Sequence, residues 1–287
     1  MASMREIKRR KATIESTGQI TAAMKVVSTA KLQKAKGKVE ASKPYFQLMY
    51  DAVTSILEKS DNINHPYLQA GNSKKKAVIV VTSNRGLAGG YNNNVVKLIT
   101  QGDFVKEDVL VYAVGRKGRD ALRRNGYEIV EDYSDVMNGP IFSDAANIGR
   151  AVLDAFSNQE VGEIYIAYTI FKNTITQIPT LMQLLPVAVD KKDEKGNSAD
   201  DLVIMNYEPE AEEALGEIIP KYVNSLIYGA LCEAIASENG ARMQAMDSAS
   251  NNAEEMIADL SLKYNRARQA SITQELTEIV AGASAIE

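Results

Sequence analysis

Three groups of residues in this 287-residue chain are of types that carry chemistry, and spacing decides what each can do. A glycine-rich turn, Ser83-Asn84-Arg85-Gly86-Leu87-Ala88-Gly89-Gly90-Tyr91-Asn92, follows an apolar run and enters a helical pattern. That is where α/β proteins cradle phosphate on free backbone N–H groups. Its glycines do not give G-x-G-x-x-G, however, and G-K-[ST] occurs nowhere in the chain, so neither nucleotide fingerprint is met. Tight strand-to-helix turns need glycine for geometry alone. The second candidate, Cys232, is the only cysteine, which excludes a disulfide or dithiol switch within one chain. It lies among small residues, and a packed, inert thiol is the reading. The third is the lone His65, which precedes Pro66 with no second histidine or cysteine near it, so it reads as a turn residue. With no G-x-S-x-G, no clustered ligands and no histidine for a triad, the sequence predicts no catalytic residue, cofactor or metal.

Charge is distributed unevenly. Met1 to Lys43 holds eleven basic and three acidic residues, a net +8, whereas Glu208 to Glu287 holds five and fourteen, a net −9. The overall −4 conceals this polarity. Arg5, Lys8, Arg9, Arg10 and Lys11 form a cluster that would suit nucleic-acid phosphates. Few aromatics are interleaved and the chain as a whole is acidic, so nucleic acid is not expected as a partner. A basic helix beside an acidic one favours a coiled coil, with two separate solvated helices as the plainer alternative.

Both ends have the pattern for that pairing. The last proline is Pro220, so Lys221 to Ala281 runs 61 residues unbroken, a helix of roughly 90 Å at 1.5 Å per residue. Met243, Met246, Ser250, Ala253, Ile257, Leu260, Tyr264 and Ala267 recur at alternating steps of three and four, a seam near the 3.5-residue period. The first helix offers a rougher stripe through Ile7, Ile14, Ile20, Met24, Val27, Leu32, Ala35 and Val39. Pro44 is expected to kink or end it, with a helix resuming from Tyr45 to Glu58.

Between the ends, strands alternate with helices. Strands are predicted at Ala77–Thr82, Val109–Val114, Tyr127–Val130, Glu163–Ile170 and Ile175–Leu185, with an edge strand at Leu202–Tyr207. Helices are predicted near Tyr91–Gln101, Lys117–Asn125 and Ser143–Phe156, and Asp190–Asp201 reads as a hairpin tip. The domain organisation expected is a helix over 1–58, a linker over 59–75, an α/β block over 76–207 and a helix over 208–287. No apolar run approaches the roughly 20 residues that span a bilayer, and no signal peptide precedes the basic start, so a soluble chain is expected.

Three separated segments, in order, carry a family resemblance. They are Met4-Arg5-Glu6-Ile7-Lys8-Arg9-Arg10 with Gln19 to Leu32, then TSNRGLAGGYN from Thr82 to Asn92, then Tyr264 to Ala283. The last contains Ile272-Thr273-Gln274-Glu275-Leu276-Thr277-Glu278, similar to I-T-x-E-x-x-E-x-x-x-G-A. The chain resembles the gamma subunit of the bacterial F-type ATP synthase, the central rotor shaft, over nearly its whole length.

That resemblance implies a long antiparallel coiled coil of the terminal helices plus a central Rossmann-like α/β domain. It implies one copy inside a ring of three alpha and three beta subunits, with the epsilon subunit and a ring of c subunits below. Proton or sodium flow would turn the shaft, catalysis would reside in beta, and the chain would sit peripherally at the cytoplasmic face of the membrane. No small-molecule ligand is implied. By motif position, Arg9 would attract acidic segments of beta, and Met24 would pack at the lower lip of the ring near Arg242 and Gln269. Gln269, Thr273 and Glu275 would form an upper contact with beta, and the end beyond Gly282 would enter an apolar sleeve. The redox-active cysteine pair of chloroplast relatives cannot form from Cys232 alone. The rival reading is a regulatory α/β binding module on a coiled-coil oligomerisation stalk, with a ligand at the Gly86–Gly90 turn.

Overall fold

The computed structural model describes residues 4–59, 65–187 and 211–284; the predicted edge strand Leu202–Tyr207 and hairpin tip Asp190–Asp201 lie outside them. Two compact units result, one of Met1–Thr29 with Arg242–Glu287 and one of Ala30–Ala241. The stretches 30–59 and 211–241, assigned by periodicity to the terminal helices, therefore cluster with the sheet.

The larger unit is built on five strands: β1 (Lys76–Val81), β2 (Val109–Val114), β3 (Glu128–Asp132), β4 (Glu163–Phe171) and β5 (Gln177–Leu185). Their order is β3-β2-β1-β4-β5. All pairings are parallel except β4 with β5. β1 and β2, all apolar after Lys76 and buried there on both faces, are the continuous hydrophobic runs that a covered parallel sheet requires. One face packs on α2 (Tyr91–Thr100) and α3 (Arg116–Arg124) through Val95, Ile99 and Leu122. The other receives α4 (Phe142–Ser157) and parts of the two long helices, α1 (Met4–Lys59) and α5 (Ala211–Ser284). Val53 and Ile56 of α1 join Leu215, Ile219 and Ile227 of α5 in this core. Phe46 and Tyr50 both meet the Tyr222 ring, at 6.3 and 6.5 Å.

Both prolines lie inside their helices: α1 does not end at Pro44, the stronger of the two effects expected there, and α5 begins at Ala211 with Pro220 inside it, within the helix expected over 208–287. Proline removes one N–H and crowds the carbonyl four residues earlier. Pro44 and Glu40 are both exposed, so water can take that carbonyl; the residue four before Pro220 is Gly216, the smallest neighbour available.

Candidate functional site

The glycine-rich turn knits itself together. The Ser83 backbone N–H donates to Asn92 Oδ1 at 2.9 Å, and Asn92 Nδ2 donates to Ser83 Oγ at 2.8 Å. Asn84 Nδ2 donates to the Ser134 carbonyl at 2.8 Å while its Oδ1 accepts from the Arg116 N–H at 3.0 Å. Gly115 (φ 112) is required at the crossing, because a Cβ there would lie 2.0 Å from the Thr82 carbonyl. Sheets of this kind take ligands in the crevice where strand order reverses, here beyond the ends of β1 and β4. α5 occupies that place: Tyr91 Oη donates to the Ala234 carbonyl at 3.1 Å, and Ser237 Oγ donates to the Thr169 carbonyl at 3.0 Å.

The other candidate reactive residues are structural. His65 caps the short helical turn Pro66–Leu68, its Nδ1 accepting from the Tyr67 N–H at 3.2 Å. Burial holds its pKa below the ordinary value. Cys232 is buried, and desolvation pushes its thiol up, away from thiolate. Among the described residues, no group of three or more His, Cys, Asp or Glu is placed to hold a metal.

What remains is the smaller unit, where α1 and α5 pair. Lys25 Nζ meets Asp247 Oδ1 at 2.6 Å, the Thr21 and Ser250 hydroxyls lie 2.8 Å apart, and a Cβ on Gly18 would lie 3.3 Å from Ala253 Cβ. Numbers fall on one helix as they rise on the other, so the pair is antiparallel. The α5 seam is the predicted one: Met246 and Ala253 are buried, and Ile257, Leu260, Tyr264 and Ala267 half-buried. The α1 seam is not. Ile20 and Val27 are 58% and 55% exposed, and the face turned inward runs through Ile7, Lys11, Ile14, Gly18, Thr21, Lys25 and Ser28. A strict three–four alternation counted from Ile7 finds all of these positions; following the apolar residues finds Ile7 and Ile14 and misses the polar and small ones. The opposed charges meet at Lys25–Asp247, while Arg10 and Lys11 pair along their own helix with Glu6 and Glu15.

The motif positions are spread along this pair. Arg9 is exposed, and Met24 and Arg242 are half-buried. Gln269, Thr273 and Glu275 are exposed, with Glu275 Oε1 accepting from Ser271 Oγ at 3.4 Å. Met24 lies one residue from Lys25, which pairs with Asp247, five residues from Arg242. Gln269 is not near them: 27 helical residues, about 40 Å, separate it from Arg242. Beyond Ser271 the described side chains of α5 are all exposed, including Ile272, Leu276 and Ile279. Their i, i+4, i+7 spacing is a second apolar stripe that the sequence reading passed over.

Comparison with known proteins bears on the whole chain. The family described as ATP synthase matches residues 3–286. The ATP synthase gamma chain of Lachnoclostridium phytofermentans is 68% identical over 290 residues, covering 100% of each chain. The sodium ion specific ATP synthase gamma chain of Acetobacterium woodii is 43% identical, covering 99% of each. Among solved structures, a chain of the Euglena gracilis mitochondrial ATP synthase (OSCP/F1/c-ring) superposes with TM-score 0.71 at 19% identity, over 99% of this chain and 94% of that one. That last likeness is one of fold.

Proposed function

This chain belongs to the ATP synthase gamma-chain family, and on that premise we propose how its parts are used. It is a non-catalytic subunit, the central rotor of the F-type enzyme, coupling ion flow to ATP synthesis or hydrolysis by rotation. The single observation that carries this is the end-to-end match to gamma chains, 68% identical over 290 residues. The catalytic sites lie on beta. The paired helices stand within a ring of three alpha and three beta subunits, and the α/β unit meets epsilon and the c ring. The titles of the similar structures, which name F1, rotor, central stalk and c-ring, support these partners.

The chain works mechanically. An asymmetric shaft favours a different conformation of each surrounding site at each angle, a population shift imposed by position. Exposure supports contact roles for Arg9, Gln269, Thr273 and Glu275, and half-burial supports one for Met24 and Arg242 at the lower lip. The exposed stripe of Ile272, Leu276 and Ile279 suits an apolar sleeve. No helix among the described residues is long and apolar enough to cross a membrane, which fits a peripheral subunit at the cytoplasmic face. The binding-module reading is disfavoured, because the turn it needs spends Asn84 and Asn92 on backbone groups of the turn and of the neighbouring Ser134 and Arg116.

The test is co-expression with alpha and beta subunits of a related bacterium, purified through a tag on beta. One copy of this chain per three of each, with ATPase that depends on it, is the expected result. A ring that assembles and hydrolyses ATP equally well without it overturns the proposal.

A further inference from the structure

We infer that Lys25, Asp247, Thr21 and Ser250 form a polar lock across the helix seam, the element that makes α1 and α5 turn as one body. Among the described residues, the rest of the seam lacks such contacts between the two helices. Toward the chain ends it is built of Ile7, Ile14, Ile257, Leu260 and Tyr264, with Lys11 paired along its own helix to Glu15, and apolar contact is non-directional. Packing of that kind holds two helices together while resisting roll or sliding only weakly. Hydrogen bonds and ion pairs are selective in distance and angle, and polar residues at seam positions fix register at some cost in stability. Here two such contacts stand on successive turns, 2.6 Å for Lys25–Asp247 and 2.8 Å for Thr21–Ser250.

The neighbouring layer makes the lock selective. Gly18 faces Ala253 closely, a Cβ there lying 3.3 Å from that of Ala253, so the layer has no space for a larger side chain. Slip by one heptad in one direction sets Thr21 against Ile257 and Gly18 against Leu260. In the other direction it sets them against Met243 and Met246. The first slip offers Lys25 the carboxylate of Glu254, but only with Thr21 against an apolar side chain. Lys25 and Asp247 are 45% and 46% exposed, so the pair adds little stability in water. Its contribution is direction, and lower dielectric inside a surrounding ring would strengthen it. These are positioning residues; the mechanical consequence rests on the rotor reading above.

The experiment uses the assembled complex in membrane vesicles, with Cys232→Ser throughout. In Lys25→Met/Asp247→Met/Thr21→Val/Ser250→Ala, ATPase is expected to persist while ATP-driven uptake of H⁺ or Na⁺ is largely lost. In Lys25→Met/Asp247→Met/Thr21→Cys/Ser250→Cys, oxidation to a disulfide restores uptake and reduction removes it again. A purely structural role for the pair would not give that reversible rescue. Uptake equal to the parent's in the quadruple variant, or lost uptake that the disulfide does not restore, overturns the lock. If the quadruple variant does not assemble, the full chain alone decides, by disulfide trapping from Ile14→Cys. Trapping to both Ile257→Cys (native) and Tyr264→Cys (slipped) supports the lock, and trapping to Ile257→Cys alone overturns it. A parent complex that hydrolyses ATP without any uptake would instead count against the rotor reading.

Discussion

Replacement of Gly18 tests how closely the two terminal helices approach. A Cβ at this position would lie 3.3 Å from Ala253 Cβ, a few tenths of an ångström inside the 3.5–4.0 Å optimum for carbon pairs. Gly18→Ala therefore needs only a slight parting of the helices, and it gains about 1 kcal/mol of helix propensity over glycine. Gly18→Leu gains nearly as much propensity but drives a branched side chain into a filled layer, at about 1–3 kcal/mol. The net expectation is near-neutrality or slight stabilisation for Ala and a loss on the order of 1 kcal/mol for Leu. The chain forms two compact units, so a single melting temperature is the wrong readout. Hydrogen exchange followed by mass spectrometry on peptides from 4–29 and 242–271 reads the local opening directly. There Gly18→Leu is expected to exchange roughly five- to tenfold faster than Gly18→Ala, about 1–1.4 kcal/mol. Equal or slower exchange in the leucine variant refutes the close approach of Gly18 to Ala253.

Three further outcomes are expected. Lys76 Nζ bonds Glu163 Oε2 at 2.8 Å and holds that carboxyl below the usual range, so the pair's stabilisation is complete above the unfolded Glu pKa. It disappears as pH falls through the lower folded value, and urea titrations of Lys76→Met should have a shallower acid limb than the parent; an unchanged limb contradicts this. Cys232, buried with its thiol pushed up by desolvation, is expected to alkylate far more slowly in the native chain than in denaturant. Equal rates would mean the α5 core opens freely. Met24→Lys places a charge at a half-buried position beside Lys25, so ATP hydrolysis should persist while coupling to ion flow falls. Unchanged coupling in vesicles counts against the contact role of Met24.

Much of the fold was legible because its signals are local. β2 at Val109–Val114 matches the predicted strand residue for residue, since a short uninterrupted apolar run rich in valine between Asp108 and Gly115 has few alternatives. The α5 seam from Met243 to Ala267 was legible for a related reason, its apolar and small residues keeping the 3.5-residue period. The α1 seam was legible only at Ile7 and Ile14, because Gly18, Thr21, Lys25 and Ser28 are small or polar and advertise no buried face. Their burial depends on partners more than two hundred residues away, a tertiary fact that periodicity on one strand of sequence does not contain. The sequence leaves open whether α1 ends at Pro44 for a similar reason: exposure at Glu40 bears on whether the helix survives, and it is not a property of proline. The wide separation of Gln269 from Arg242 was within reach of the sequence, since the unbroken helix expected from Lys221 to Ala281 already sets them 27 residues apart; motif position alone places them together.

Rotation itself is the most direct test of the central claim. Ile175, 76% exposed at the tip between β4 and β5, offers an attachment point as Ile175→Cys in a Cys232→Ser background. With the complex fixed to a surface through beta, a bead on that cysteine is expected to turn in one direction on addition of ATP, pausing at three positions per turn. A bead that stays fixed relative to beta while ATP is hydrolysed at the normal rate would contradict the rotor account.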